Sequence, residues 1–592
     1  MRSDAKAEGP RQSMSWLHTW ASLILGWLLY AIFVTGTLSF FQAEISTWMK
    51  PEYHQSIPSQ SQLEQTQVAL QYLQNNHDDA GSWGIQLPNA RQNYTTLNIR
   101  NVGEDPNARR GGKRVTIDSA TGEVLEARET RGGSFLYRFH FELYGMPRIW
   151  SRWIVGIATM FMLVAIISGI ITHKKIFKDF FTFRTGKGQR SWLDAHNATA
   201  VFALPFHIMI TFSGLLLLLF TIMPWGVQQI YDNRGAFLQD QRKSLIQNPA
   251  EPQGQTRTDQ PQGNQRSMMN ARTEIEARGT QSASNEHTNK MDGERKNRGE
   301  SRRTRNQDRK AEPAPLTDIA PILTQAEAKW KNNPIGSITI KAPNTSKATI
   351  ELRALHGASI AHRGVYETLD FNGVTGQNIT DDSTQLKNPS IPNGIYNVAT
   401  VLHEARGVDL ALRWILFFSG IVGTLMVATG LILWCVKRAP QQAKQGYKSF
   451  GYRTVEITNI AAIIGLPIAC AAYFYANRFI PADMEMRLNW EIRTFFIVWL
   501  FTLVYAVFRT HRQAWLELLG LATLLFALLP LVNFITGGQP LWCSIAHGQW
   551  VIASFDLAML VLAVVFYFAL YKVQNHQGTP LKKSQVLPKV EG

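Results

Sequence analysis

The chain has 592 residues, of which 45% are hydrophobic, and its formal net charge at pH 7 is +16. Its mean hydropathy is −0.12, although it contains 31 Phe and 17 Trp residues. An average so close to zero arises when long apolar stretches alternate with very polar segments, which predicts a membrane-embedded protein. The basic excess lies partly in short loops between those stretches, so it does not indicate a nucleic-acid partner.

The apolar stretches are each roughly 18 to 25 residues long, enough to cross a hydrocarbon core about 30 Å thick. The eight of them lie near residues 17–41, 151–172, 197–222, 409–435, 456–478, 493–510, 513–535 and 550–572. The first resembles a secretory signal, but its apolar run is too long and no A-x-A cleavage site follows. We therefore interpret it as a membrane helix.

Lys and Arg in the short connections predict the orientation of the helices in the lipid bilayer. The loop 174–192 holds six such residues and the loop 437–455 holds five, whereas 536–549 holds none. Both termini are then cytoplasmic, and the segments 42–150 and 223–408 lie outside the cytoplasm.

A duplicated spacing links two of the predicted helices. His18 precedes Gly36 by 18 residues, and His196 precedes Gly214 by the same 18. This spacing is five whole turns of an α-helix, so each histidine shares a helix face with its glycine.

The duplication extends to the helices that return through the membrane. His140 lies 29 residues before Gly169, and His403 lies 27 residues before Gly430. Between the helices, "GSWGIQLPNA" at 81 resembles "GSITIKAPNT" at 336, and each is followed by strand-like alternation and Gly-containing turns. Each half therefore predicts a helix, a small α+β domain and a returning helix. The predicted fold is an all-α membrane bundle of about eight helices, with a four-helix duplicated core and two small α+β domains.

The topology sorts the four repeated histidines into two pairs. His18 and His196 begin outward-running helices near the cytoplasmic face, whereas His140 and His403 precede inward-running helices near the opposite face. Two imidazoles facing each other across a helix bundle are the usual protein ligands of low-spin b-type haem. We therefore predict two haem b groups, which divide a crossing of about 30 Å into shorter electron-transfer steps.

The glycines at the opposite helix ends are predicted to let the helices run close to the haem: Gly36, Gly214, Gly169 and Gly430. Small residues also serve ordinary helix contacts, and a single histidine at a helix entrance is commonly a polar cap. His207, 11 residues after His196, shares the inward face and is a reserve ligand, as is His173 at the end of the second helix.

Several motifs together carry a family resemblance: "WLHTWASLILGWLLYAIFVTG", "FHFELYG" with "GIATMFMLVAIISGI", "DAHNATAVFALPF" with "TFSG", "VLHEARG" with "FFSGIVGTLMVATGLILW", and "TGEVLEAR". Over roughly residues 14–437 the chain resembles the PepSY-associated transmembrane family, often called iron-regulated membrane proteins. Members of that family include di-haem inner-membrane siderophore reductases. The last four helices lie outside these motifs.

The resemblance implies a haem-dependent ferric reductase of the bacterial inner membrane. Its substrate would be ferric iron, released from or held by a siderophore on the periplasmic side. By similarity, the haem ligands would be His18, His140, His196 and His403. The chain shows no G-x-G-x-x-G fingerprint in a βαβ setting, so electrons would come from a separate cytoplasmic reductase or a quinol.

With the resemblance, the chain divides into nine predicted parts. They are helix 1 at 14–41, a first PepSY-like domain at 42–150, helix 2 at 151–173, a basic cytoplasmic loop at 174–195, helix 3 at 196–222, a polar disordered linker at 240–315, a second PepSY-like domain at 316–408, helix 4 at 409–436 and an additional four-helix module at 456–572.

Two alternative functions remain open from the sequence. The extracytoplasmic domains can bind a peptide or regulate a protease, with the helices serving only as anchors. Eight helices also suffice for a transporter, but the intramembrane carboxylates Glu456, Glu517 and Asp556 are isolated in sequence rather than arranged as an array.

Overall fold

The computed structural model describes residues 9–59, 61–105, 111–173, 184, 186, 188–243, 246–247, 312–380, 385–386 and 388–576. Most of the predicted linker 240–315 and most of the basic loop 174–192 lie outside these described residues.

Helices dominate the described residues. In chain order they are α1 (Pro10–Ser39), α2 (Gln42–Trp48), α3 (Gln62–Asn76), α4 (Gly133–Phe141), α5 (Arg148–Thr172), α6 (Gln189–Phe202), α7 (Leu204–Leu217), α8 (Leu219–Ile222), α9 (Pro224–Gln228), α10 (Arg234–Lys243), α11 (Ala320–Trp330), α12 (Ile391–Glu404), α13 (Leu410–Gln445), α14 (Phe450–Ile460), α15 (Leu466–Phe479), α16 (Arg487–Phe508), α17 (His511–Ile535), α18 (Leu541–Ala546) and α19 (Trp550–Gln574).

Within the described ranges, seven helical stretches are long and apolar enough to cross a membrane, and the bent pair α6 and α7 is an eighth candidate. The joined helices α14 and α15 count as one of the seven, from Phe450 to Phe479. These spans overlap all eight predicted stretches, which confirms the prediction of a helical, multi-pass membrane protein.

The third predicted span, 197–222, is not one continuous helix. It breaks at Ala203, and α6 and α7 are bent by 66° relative to each other. Pro205 lies in the first turn of α7. Because proline lacks an N–H and its ring clashes with the carbonyl four residues earlier, here that of Val201, it ends the preceding helix.

The first four spans pack side by side as one bundle. α1 lies against both α5 and α13, α5 lies against α7, and α13 lies against α6. Each span therefore contacts two others. α12, which precedes α13, packs against α7 at one end of this bundle.

The segments between the spans contribute strands to one antiparallel sheet. Its strands are β1 (Ser82–Gln86), β2 (Thr95–Arg100), β3 (Lys113–Ile117), β5 (Ile335–Lys341), β6 (Thr349–Gly357) and β7 (Tyr366–Asn372). Their order is β3-β2-β1-β5-β6-β7. A separate pair joins β4 (Ile246–Gln247) to β8 (Gln385–Leu386).

The two repeated sequence segments meet at the centre of this sheet. The segment at 81 contains β1, the first part of the segment at 336 lies in β5, and the two strands pair antiparallel with Gly84 opposite Thr339. Separate three-stranded sheets would leave β1 and β5 as edges with unpaired backbone groups, and their pairing removes both edges. The two predicted domains therefore share one sheet, which places both intervening segments at the same end of the bundle.

One face of the sheet forms its own hydrophobic core. Trp83 and Ile85 of β1 and Ile338 and Ile340 of β5 are each at most 1% exposed. They alternate with less buried residues, as expected for strands with one covered face. Buried side chains of α3 and α11 complete this core.

The last four spans form a C-terminal module, Phe450–Gln574. Between α14 and α15, Ala461–Gly465 is π-helical, a geometry that leaves some backbone carbonyls without a partner along the helix. The Tyr30 hydroxyl of α1 donates to one of these carbonyls, that of Ile463, at 3.0 Å. Trp27 of α1 donates to Asn459 at 2.8 Å. The module is thus hydrogen-bonded to the outer side of the first helix.

The shared sheet generates a testable prediction. Ile338→Ala should lower the free energy of unfolding of the sheet by about 2–5 kcal/mol, because it opens a cavity at the strand pair that joins the two segments. Thr339→Ala, on the opposite face of β5, is the matched control and should cost less than half as much. Hydrogen exchange across β1 and β5 of the detergent-solubilised protein at increasing urea concentration measures both.

Candidate functional site

The four repeated histidines lie on four different helices and meet in two pairs. His18 of α1 faces His196 of α6, with ring centres 6.3 Å apart and ring planes at 62°. His140, at the end of α4, faces His403, at the end of α12, with ring centres 6.0 Å apart and planes at 46°. The structure therefore brings together the pairs that the sequence predicted.

Each imidazole packs against one of the four predicted glycines on a neighbouring helix. A Cβ atom placed on Gly36 would lie 2.6 Å from both Cε1 and Nδ1 of His140. The corresponding distances to the facing Cε1 atoms are 3.3 Å for Gly169 and His18, 3.3 Å for Gly214 and His403, and 3.1 Å for Gly430 and His196. The glycines thus admit the ligand rings themselves, a contact that the sequence analysis did not foresee.

The Nδ1 atom of each ring is anchored near the same glycine. In three of the rings it bonds to the carbonyl of the residue four positions before that glycine: His18 to Ala165 at 2.8 Å, His140 to Ile32 at 2.8 Å and His196 to Met426 at 3.0 Å. A carbonyl only accepts, so Nδ1 carries the proton in these three rings. Nδ1 of His403 bonds to the Ser213 hydroxyl, which itself donates to the Met209 carbonyl at 2.6 Å and therefore accepts from Nδ1. Nε2 then holds the lone pair that a metal needs, and the ring orientation is set by the backbone of the partner helix.

Hydroxyl groups next to the glycines add to these anchors, and the sequence analysis missed their role. The Ser213 hydroxyl lies 2.8 Å from Nδ1 of His403. Ser168 and Thr429 lie 3.4 Å from Nδ1 of His18 and His196, respectively. In the sequence, the Ser or Thr directly before each of the four glycines was the feature that could have indicated this role.

Each histidine pair lines a cavity. The sheet-proximal cavity, about 610 Å³, contains His140 and His403, and the sheet-distal cavity, about 300 Å³, contains His18 and His196. Both volumes fall within the usual range for small-molecule and cofactor sites, about 300–1,000 Å³. Leu29 and Met162 line both cavities, so the two cavities are neighbours.

Basic side chains line both cavities, and the sequence analysis singled out none of them. Arg91, Arg152 and Arg406 line the sheet-proximal cavity. Lys437 and Arg438 line the sheet-distal one. Arg91 is already paired with Glu44 at 2.7 Å and Arg152 with Glu142, whereas Arg406 is exposed and donates to the Tyr137 hydroxyl at 3.0 Å. A cofactor or substrate with acidic groups would find charge-assisted donors in either cavity.

The spacing of the rings fits two axial ligands of one metal. A metal–imidazole bond is about 2 Å long and the ring centre lies about 1 Å beyond the nitrogen, so two rings on opposite sides of one metal have centres about 6 Å apart. The observed separations are 6.3 and 6.0 Å. In the part of the chain that the structure describes, no group of three or more His, Cys, Asp or Glu residues can hold a bare metal ion. A metal held in a macrocycle needs only the two imidazoles.

The two reserve histidines both lie at the sheet-distal cavity. His207 is 1% exposed, and neither ring nitrogen makes a hydrogen bond of ordinary geometry with a described side chain or backbone group. Its ring centre lies 6.4 Å from that of Phe33, which lines the other cavity. His173, just after α5, lines the cavity near its basic residues. His207 therefore lies in the same cavity as His18 and His196, but it does not form a facing pair with either of them.

Burial keeps the sheet-proximal imidazoles neutral. It lowers the pKa of His403 to about 3, with a further contribution from the neighbouring His140. Burial also lowers the pKa of His140, partly opposed by the hydrogen bond to the Ile32 carbonyl. Because only the neutral ring can ligate a metal, this environment favours the ligand form.

These lowered pKa values predict how stability depends on pH. The unfolded chain binds a proton at His403 below about pH 6.5, while the folded protein does not until about pH 3. Folding stability should therefore fall as the pH drops through this window, by about 1.4 kcal/mol per pH unit for this residue. Between pH 6.5 and 5, the free energy of unfolding of His403→Gln should fall by about 2 kcal/mol less than that of the wild type, as measured by denaturant unfolding. Equal losses of unfolding free energy in the two proteins would contradict the lowered pKa of His403.

Comparison with known proteins gives one match. Residues 15–437 match the model of a protein family described as the PepSY-associated TM region. No curated protein matches the chain. The matched residues include all four paired histidines and both strands that join the sheet, and they end before the C-terminal module.

Proposed function

Since this chain belongs to the PepSY-associated transmembrane family, we propose that it is a di-haem b electron-transfer protein of the bacterial inner membrane. It reduces ferric iron, held by a siderophore or another chelator, on the periplasmic side. The observation that carries this proposal is the double pairing of half-buried imidazoles, with ring centres 6.3 and 6.0 Å apart and every Nδ1 hydrogen-bonded.

The orientation follows from the charges of the loops and from the shared sheet. The sheet and the His140–His403 pair lie at one end of the bundle, and the Lys-rich and Arg-rich loops lie in the connections at the other. By the positive-inside rule, the sheet is periplasmic and both termini are cytoplasmic. His18 and His196 then form the inner pair. We further propose that the core arose by duplication, since both halves repeat the same histidine and glycine contacts.

The imidazoles and the basic side chains around the two cavities have distinct tasks. When bound, the two haems supply one-electron redox chemistry. The imidazoles would hold them at two depths, and Leu29 and Met162 line both cavities. Arg406 can bind acidic groups at the outer cavity, and Lys437 and Arg438 at the inner one.

The periplasmic reaction is a one-electron reduction of Fe(III) to Fe(II). Siderophores bind Fe(II) far less tightly, so reduction releases the iron. The exposed Arg406 lies where an anionic ferric chelate can approach the outer cavity. No proton transfer is required, and we assign no catalytic side chain. Electrons enter at the cytoplasmic end from a separate reductase or from quinol.

The haem content of single variants tests the proposal. The purified wild type should be red and carry two haems per chain, with a sharp α band on reduction. His140→Ala and His403→Ala should each remove one haem, and His18→Ala and His196→Ala should each remove the other, because a single imidazole binds iron porphyrin too weakly. The exposed His547→Ala is the control and should keep both. Pyridine haemochrome assays on each variant measure this.

The outcome also decides between the alternatives. A colourless wild-type protein would overturn the redox function and leave a membrane-anchored PepSY protein that binds or regulates a partner. Loss of one haem in His207→Ala would show that this residue replaces one of the inner ligands.

The glycine contacts generate a second prediction. Gly36→Ala should displace the His140 ring and reduce occupancy of the outer haem severalfold, because the new methyl group would lie 2.6 Å from two ring atoms. Gly214→Ala, at 3.3 Å from His403, should have a smaller effect on the same haem. Gly226→Ala, with no atom within 4 Å, is the control. Low-temperature optical spectra that resolve the two haems measure all three variants, and equal occupancy in all three would contradict the contact.

A further inference from the structure

The C-terminal module lies outside the matched family region and has no task in the proposed electron path. Among the elements of the site, it contacts the short helix α4, which carries His140 in its last turn. Two kinds of contact hold this helix, an aromatic cluster and a buried polar network.

The aromatic cluster covers the side of α4 that faces the module. Phe135 and Phe139 of α4 are at most 6% exposed. The ring centre of Phe135 lies 5.0 Å from that of Tyr473 and 5.2 Å from that of Phe495. Phe139, directly before His140, lies 5.9 Å from Phe495 and 6.1 Å from Trp499. Edge-to-face aromatic packing of this kind restricts both position and rotation of the helix.

The start of α4 is hydrogen-bonded to the module. The Tyr473 hydroxyl of α15 donates to the carbonyl of Gly132, the residue before α4, at 3.0 Å. Gly132 has a φ of +52°, in a region that side-chain-bearing residues rarely adopt. The bond therefore stabilises the backbone bend from which α4 begins.

A buried ion pair holds the chain just before that bend. Arg487 and Glu491 of α16 pair with each other, and they are at most 2% exposed. Arg487 donates to the Glu129 carbonyl at 2.7 Å, and Thr130 donates to the Glu491 carboxylate at 2.7 Å. Because a buried charge must keep its partners, these contacts specify one position for the segment.

The module also holds α2, the helix on which α4 rests. A Cβ atom on Gly133 would lie 2.3 Å from the Gln42 carbonyl, so α4 and α2 are in direct backbone contact. Trp48, at the end of α2, is fully buried and donates to Asp556 of α19 at 2.8 Å. α4 is therefore held from two sides.

The other sheet-proximal ligand lacks this support. His403 lies on α12, which packs against α7 of the bundle, and Ile391 and Ile395 of α12 are 81% and 57% exposed. α12 is held instead by the pairing of Glu404 with Arg363 at 2.9 Å and by the bond from Asn397 to the Ala361 carbonyl at 2.8 Å, so different elements hold the two halves of the outer site.

We propose that the C-terminal module is a positioning device for the His140 imidazole. It holds α4 so that the ring stays against Gly36 and in line with His403. The consequence of this positioning, ligation of the outer haem, rests on the proposed function. The restraint on α4 does not depend on that function. Tyr473 is a positioning residue in this scheme.

Tyr473→Phe and Tyr475→Phe form a matched pair for the test. Both residues lie on α15 and donate a hydroxyl to a backbone carbonyl, but Tyr475 bonds to Leu525 inside the module, at 2.8 Å. In hydrogen exchange, Tyr473→Phe should speed exchange across 133–141 about fivefold, the change expected from losing one typical buried hydrogen bond. Exchange across 391–404 should stay unchanged, and Tyr475→Phe should leave both segments unchanged.

Electron paramagnetic resonance of the oxidised protein gives the second readout. Tyr473→Phe should shift or broaden the low-spin signal that His140→Ala removes, and leave the other signal intact. Glu491→Gln should act on the same signal, which keeps the test valid if one variant folds poorly.

The outcomes separate the two proposals. Unchanged exchange in α4 would overturn the restraint, and faster exchange with an unchanged outer signal would overturn the positioning role. A wild type without haem would overturn the proposed function, and with it the cofactor role of the module. Exchange would then still decide whether the module holds α4.

Discussion

The contact between an imidazole and a glycine of the neighbouring helix determines the architecture of the membrane core. Each ring needs a glycine for room and a hydrogen-bond acceptor for its Nδ1 proton, which is the backbone carbonyl four residues before the glycine in three rings and the Ser213 hydroxyl in the fourth. His18 of α1 packs against α5, and Gly36 of α1 contacts the His140 ring of α4. Helices joined in this way cannot slide or rotate without losing a hydrogen bond in a low-dielectric setting, where an unpaired polar group is costly.

The same contact leaves each ring of a facing pair with a single free lone pair, because Nδ1 is committed to the partner helix. Two such rings suit a metal whose other positions are filled by a macrocycle. Among the described residues, no group of three or more His, Cys, Asp or Glu residues can hold a bare metal ion, although His173 and His207 also line the sheet-distal cavity. The two cavities share Leu29 and Met162 as lining residues, so helix packing places the two histidine pairs in neighbouring cavities.

The sheet and the C-terminal module act on the outer pair from two directions. Pairing of β1 with β5 ties the two intervening segments together, so the helices that follow them, α4 and α12, are brought to one place above the bundle. The module then restrains α4 through Tyr473, Arg487 and the aromatic cluster. The outer site is thus assembled from elements that are far apart in sequence.

The sequence by itself determined the spans and the histidine and glycine positions, because apolar length and repeated spacing are local properties of the chain. It also indicated the pairing of His18 with His196 and of His140 with His403, since topology sorts residues by depth. Only the tertiary structure decided that Gly36 receives His140, that α6 bends away from α7, and that the two intervening segments share one sheet. These features depend on which helix faces and strand edges meet in space, and no periodicity within a single segment carries that information.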